Sequence, residues 1–218
     1  AGDLAAHRAH LVDPLTLAHS AGAVYNMTPP TQGVVSLLIL GILDVLDIGA
    51  VPQGSADYVH LCVEATKQAF SVRDRQVTDP RYMKVPAQDL LQPAHVRSLA
   101  QRIDRRHAAP WGGHTQAGDT VWMGVIDGAG RAVSFIQSIY HEFGSGIVLP
   151  ASGVNWQNRG CSFALDAGAL NTLEPGRKPF HTLNPALARL KNGRTVVYGT
   201  MGGDGQPPLH IPHQDRRR

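Results

Sequence analysis

One threonine stands where the chain changes character. Before it, residues 104–119 include the run Arg105-Arg106-His107-Ala108-Ala109-Pro110-Trp111-Gly112-Gly113, a mixture of charge, proline and glycine that reads as an exposed, flexible linker. From Thr120 onward, β-branched and aromatic residues begin at once. A threonine hydroxyl is a poor nucleophile until a base removes its proton. A threonine at a chain terminus carries that base itself, an α-amino group with a pKa of about 7.7–8.0. Cutting the bond between Asp119 and Thr120 would create such a residue, and the linker would let the two new ends separate. Read alone, Thr120 is an ordinary β-branched strand position, so its surroundings must carry the assignment.

Other residues with chemical potential offer less. His7 and His10 sit at helical spacing, but a third ligand and an HExxH motif are both missing, so they read as solvated histidines and no metal or cofactor is expected. Cys62 and Cys161 allow one disulfide at most and form no CxxC pair; they read as small buried or half-buried thiols. The glycine-rich stretch 199–205 lacks the Gly-Lys-Ser/Thr ending of a phosphate loop. Asn26-Met27-Thr28 fits a glycosylation sequon but is followed by Pro29 and is discounted. The net charge of +3 comes partly from short clusters, Arg102 with Arg105 and Arg106 and the terminal run Arg216-Arg217-Arg218, not from a continuous basic face, which argues against a nucleic-acid partner.

The elements that must position Thr120 come in two kinds. With 43% apolar and 17% charged residues the chain has an ordinary globular composition. Its first half reads as helical. The longest apolar run, residues 34–48, is broken by Ser36, Gly41, Asp44 and Asp47 and falls short of the ~20 residues of a membrane span, so it is expected to be a buried helix. Ser55 is a plausible N-cap for a helix with Val59, Cys62, Val63, Thr66 and Phe70 on its apolar face. Pro93 opens another, with Val96, Leu99, Ala100 and Ile103 as its stripe. The second half turns to strand. Residues 120–126, a turn at 127–130 and residues 132–140 form a hairpin pattern, and a further strand at 195–198 leads into the glycine-rich stretch. No signal peptide is visible at the start, which slightly favours a cytoplasmic location, although with an opening Ala1-Gly2-Asp3 and no methionine the natural N-terminus is expected to lie elsewhere.

A colinear series of short segments ties these elements together: Asp3-Leu4-Ala5-Ala6-His7, Val24-Tyr25, Pro29-Pro30-Thr31-Gln32-Gly33, Ser55-Ala56-Asp57-Tyr58-Val59-His60 and Asp79-Pro80 before the linker. After it come Gly118-Asp119-Thr120-Val121, Phe143-Gly144-Ser145-Gly146, Asn158-Arg159-Gly160, the run from Pro175 to Thr182, and Gly199-Thr200-Met201-Gly202-Gly203-Asp204. In these segments residues 3–203 resemble the gamma-glutamyltranspeptidase family of N-terminal-nucleophile hydrolases, particularly its bacterial and archaeal glutamyltransferase-like and cephalosporin-acylase-like members. The resemblance implies an α+β fold, a four-layer αββα sandwich, here incomplete at both ends. It makes residues 1–119 the helical C-terminal part of a large subunit ending in the linker 104–119. Residues 120–218 become the β-rich N-terminal part of a small subunit with a divergent tail at 207–218.

The resemblance also implies roles. The family's proenzymes cut themselves, here between Asp119 and Thr120, and keep both pieces associated, so the rest of the precursor is a partner. Thr120 becomes the nucleophile, Ser138 the hydroxyl that orients it, and Gly202 and Gly203 the backbone donors to the oxyanion. The expected reaction is cleavage of a γ-glutamyl (glutathione-type) or glutaryl amide through a threonine acyl-enzyme, with water or an amine as acceptor. The alternative is a silent remnant with a structural or interaction role. The family's acidic amine-binding segment reads Gln157-Asn158-Arg159-Gly160-Cys161-Ser162-Phe163 here, leaving Ser162 as a hydrogen-bond acceptor where a carboxylate is usual. Its paired serines are His181 and Thr182, and its glutamyl-holding asparagine is Tyr140. Arg159 either pairs with a carboxylate or lines the pocket.

Overall fold

In a computed structural model, which describes residues 2–111 and 119–209, helix α1 (Gly2–Ala6) precedes a hairpin of two short strands, β1 (Leu15–His19) and β2 (Gly22–Asn26). The core is organised around α2 (Gly33–Val45), whose residues Gly33 to Leu43 are all buried. A helix that is apolar all round has no solvent face to offer and must be enclosed. It ends at Val45, short of the expected residue 48, because Asp47 adopts a left-handed conformation (φ 54°) and Ile48–Ala50 forms a separate single turn.

Helix α3 (Ala56–Gln76) begins as expected, with Ser55 Oγ accepting the Tyr58 N–H at 3.1 Å. Its buried face is only partly the expected one, since Phe70 is buried and Cys62 packs against the core as expected. Val59 and Val63 are about half exposed, whereas Leu61, Glu64, Ala65, Ala69, Phe70, Val72 and Arg73 face inward. Two charged residues on the inner face hid it from an apolar count. Glu64 is held by Lys67 Nζ at 2.6 Å and accepts the Ala109 N–H at 3.2 Å, and Arg73 is paired as described below. Those bonds, with a tilted ring contact of 5.8 Å between Phe70 and Trp111, fasten residues 104–111 onto α3 even though most of their side chains are exposed. The rest of the expected linker, residues 112–118, lies outside the described residues. Helix α4 (Pro93–Ala100) has Pro93 in its first turn and buries Val96, Leu99 and Ala100, with Ile103 just beyond.

Strands β1 and β2 correct the helical reading of the first half. They pair antiparallel and continue into β5 (Ala186–Leu190) and β6 (Thr195–Tyr198) as one sheet in the order β1-β2-β5-β6. The Gly22↔Leu190 to Tyr25↔Leu187 register joins a strand from before the linker to one from after it, so the two portions share a sheet. One face, with Leu15, Leu17, Val24 and Ala188, forms a single core with α2, α3 and α4. The other meets a two-stranded hairpin, β3 (Asp119–Ile126) and β4 (Ala132–Tyr140). There Trp122 lies over Gly199, where a Cβ would run into the indole, and donates to Ser134 Oγ at 3.0 Å. Helix α5 (Gln206–Leu209) closes the described chain.

A carboxylate outside the sheet clamps the loop that feeds β5. Asp79, 1% exposed, accepts from Arg81 Nη2 at 2.7 Å, from the Arg81 N–H at 3.1 Å and from the Lys178 N–H at 2.8 Å. Next to it, Arg177 Nη2 donates to Thr78 Oγ1 at 3.0 Å. The Arg81 guanidinium, helped by the two N–H groups, holds the Asp79 carboxyl well below the usual carboxylate range. A depressed folded-state pKa gives stability that is complete above the unfolded value of about 3.9 and is lost as pH falls through the folded value. Asp79→Asn should therefore lower the unfolding free energy at pH 7 by about 1.5–3 kcal/mol. In urea titrations it should also flatten the loss of stability below pH about 4; an unchanged acid limb would contradict the clamp.

Candidate active site

Strand β3 starts with an irregularity. Asp119 pairs with Tyr140 and Val121 with Gln137, so Ser138 and Ile139 together stand opposite Thr120 alone. This is a β-bulge, a device that re-aims side chains at the end of a ladder. Thr120 is 8% exposed there. Ser138 Oγ accepts the Tyr140 N–H at 2.8 Å, and Tyr140 takes a positive φ of 81°, a conformation that is strained for a bulky residue. The bend buries the Tyr140 ring against His141, with centroids 4.8 Å apart, and under the Arg159 guanidinium, whose central carbon lies 4.5 Å from the ring centroid.

Arg159 opens a single helical turn, Arg159–Ser162, that is tied to the end of β4 by the Asn158 N–H donating to Ile139 O at 3.2 Å and the His141 N–H donating to Asn158 Oδ1 at 3.0 Å. It is 5% exposed and donates from Nη1 to Thr182 Oγ1 at 3.0 Å. Burial pulls its pKa down, and nearby Tyr140, Cys161 and Asp204 oppose that. Thr182 is held by its neighbour His181, whose backbone donates to Pro30 O at 3.0 Å and accepts from the Gln32 N–H at 3.2 Å. The buried Gln32 side chain then donates to Gly203 O at 3.1 Å. That fixes the loop in which Gly202 (φ 116°) and Gly203 (φ 55°) both adopt backbone conformations that L side chains rarely take.

Together these segments enclose a cleft of about 240 Å³ walled by Tyr140, Arg159, Ser162 and Thr182, with Arg73, Asp74 and Asp204. Larger hollows of about 540 and 410 Å³ lie elsewhere and contain none of the sequence-predicted residues. Thr120, Ser138, Gly202, Gly203 and His181 flank the cleft and do not wall it. Thr120 and Ser138 stand at the strand ends beside Tyr140, and the glycine pair precedes Asp204. Sequence reasoning missed Arg73, Gln32 and Asp204 as site builders. Arg73 packs 4.0 Å over the Phe70 ring and reaches Asp74 at 2.7 Å and Asp204 at 3.7 Å. Its signal was present in the i, i+3 spacing with Phe70 on the buried face.

The Gamma-glutamyltranspeptidase family model matches residues 1–213. This chain belongs to that family. It is 59% identical over 206 residues to an oxamate amidohydrolase proenzyme of Klebsiella pneumoniae, covering 94% of this chain and 39% of that protein. It is 40% identical to a glutathione hydrolase-like proenzyme of Bacillus subtilis, again over 94% of this chain and 39% of the relative. Among solved structures it is similar to a cephalosporin acylase from Bacillus halodurans, with a TM-score of 0.84 and 34% identity over 96% of this chain and 38% of the other. The fold is thus that of the family's N-terminal-nucleophile hydrolases. The described residues supply a helical layer and two β-layers of the sandwich. The chain spans about two-fifths of the length of these relatives.

His181, beside the cleft, carries a pH signature. Burial first, then the charges of Arg159 and Lys178, lower its pKa from 6.5 to about 4. Between those values the unfolded chain binds a proton that the folded chain refuses, so stability rises with pH. The contribution is complete above about pH 6.5 and is lost on acidification toward 4, at a slope of at most about 1.4 kcal/mol per pH unit. His181→Gln is expected to flatten that segment of the stability–pH curve; an unchanged slope would place the titrating group elsewhere.

Proposed function

We propose that this protein is a self-processing amidohydrolase with acyltransfer capacity, in which Thr120 becomes the nucleophile once the bond to Asp119 is cut. The observation that carries the reading is the bulge that sets Thr120 alone against Ser138 and Ile139. The names of two matched relatives, an oxamate amidohydrolase proenzyme and a glutathione hydrolase-like proenzyme, support it. The freed α-amine of Thr120 accepts the hydroxyl proton as Oγ1 attacks the amide carbonyl carbon. Ser138 orients that hydroxyl. The N–H groups of Gly202 and Gly203 receive the oxyanion, a preorganised arrangement worth roughly 2.7–4 kcal/mol per donor. Collapse transfers the proton from the α-ammonium to the departing nitrogen and leaves an ester on Thr120. Water, or an amine, then attacks the ester with the same α-amine as base, releasing the acyl group and restoring the threonine.

Substrates are small amides that place a carboxylate or related group in the cleft. Oxamate is the first to test because of the amidohydrolase relative, and glutaryl amides the second because of the acylase likeness. Intact mass of the purified chain should give two polypeptides, the smaller beginning at Thr120, and Thr120→Ala a single uncut one. Ammonia from oxamate, or p-nitroaniline from glutaryl and γ-glutamyl anilides, should appear only with the cut form. Cleavage at another bond would remove Thr120 from the mechanism, and an uncut chain that releases nothing would make the protein a silent scaffold.

A further inference from the structure

Arg159 is the cleft's unusual cation. Arg73, the other arginine on its wall, is neutralised by Asp74 and Asp204. Arg159 instead makes its direct contacts with neutral groups, Thr182 Oγ1 on Nη1 and the Tyr140 ring on its face, and feels Asp204 only as a nearby charge. Nε and Nη2, which form the opposite edge of the guanidinium, are buried and have no hydrogen-bond partner among the described residues. Two parallel N–H groups on one planar edge match the two oxygens of a carboxylate, the bidentate arrangement that arginine makes and lysine cannot. Leaving such an edge desolvated and unbonded is costly, so it is a place where an anion gains most. The same cleft offers little to an ammonium group: its two carboxylates already face arginine charge, Asp74 at 2.7 Å and Asp204 at 3.7 Å from Arg73, and Ser162 supplies only a hydroxyl.

We infer that Arg159 reads the acyl half of the substrate, and that this half ends in a carboxylate and carries no ammonium, making the substrates monoamides of short dicarboxylic acids. Thr182 and Tyr140 act as positioning residues that hold the fork in one plane. This rests on the amidohydrolase reading for the fate of the amide, but the recognition step needs no chemistry and can be measured without it.

The test is calorimetric binding to the Thr120→Ala chain, which does not turn over. The probes are oxamate, succinamate and glutaramate, with oxamide lacking the carboxylate of oxamate and L-glutamine adding an α-ammonium to glutaramate. At least one monoamide should bind, and its matched neutral or amino-bearing analogue should bind at least tenfold more weakly. Adding Arg159→Met should weaken the bound monoamide about 10- to 100-fold without lowering the melting temperature of the unliganded chain, since a buried, partly unbonded charge is removed. Arg159→Lys, which keeps the charge and loses the fork, should weaken it severalfold and serves if the methionine variant does not fold. The inference is overturned if no monoamide binds, if the Arg159 variants bind as the parent does, or if L-glutamine binds as well as glutaramate. Arg159-dependent binding in a parent chain that neither cuts itself nor releases ammonia would instead overturn the Thr120 reading alone.

Discussion

The site depends on a glutamine with no exposed surface. Gln32 receives nothing from solvent, and each of its polar groups is used. Its backbone N–H bonds His181 O, its side-chain amide donates to Gly203 O, and its side-chain carbonyl lies 3.5 Å from Arg73 Nη1. Three segments that are far apart in sequence thus converge on the first turn of a helix sealed inside the core. A buried amide satisfied on both sides has one geometry and resists slipping, because any shift leaves a polar atom unbonded in an apolar interior. The shared sheet reinforces this, since β2 cannot leave β5 without separating the portions before and after the linker.

That arrangement explains how a chain could be cut at the head of β3 and stay together. The cut would fall where the ladder is already irregular, whereas the core, the Asp79 clamp and the Gln32 node all join the two portions at other places. Local strain sits at the same end, in the positive φ of Tyr140. Conformations of this kind persist only when the surroundings over-determine them. Here the bulge, the Arg159 face and the Ser138 hydroxyl all act on Tyr140.

What could be read from the sequence follows the range of the forces involved. The buried helix α2, the proline-opened α4 and the β3–β4 hairpin announce themselves through local pattern, and they form nearly as expected. Strands β1 and β2 do not, because these five-residue segments hold few β-branched residues and β2 is anchored by β5, a partner about 165 positions away. Helix α3 misled for the opposite reason, since Glu64 and Arg73 are buried for their partners and not for their polarity. In the site, Thr120 was visible as a discontinuity in composition. The joining of Tyr140, Arg159, Ser162 and Thr182 into one wall was partly visible through the family segments. Arg73 and Gln32 were not seen as part of it, since their roles exist only after the chain has folded.

The central claim, that Thr120 is a terminal nucleophile, is tested most directly by trapping its ester. The protein should be mixed with a slowly turned-over acyl donor such as glutaryl-p-nitroanilide, quenched in acid within the first turnover, and its fragments weighed and sequenced by mass spectrometry. The expected result is one acyl group on the fragment that begins at Thr120, located on that residue. An acyl group on the cleft thiol of Cys161, or release of p-nitroaniline with no acylated fragment at any quench time, would contradict a threonine mechanism.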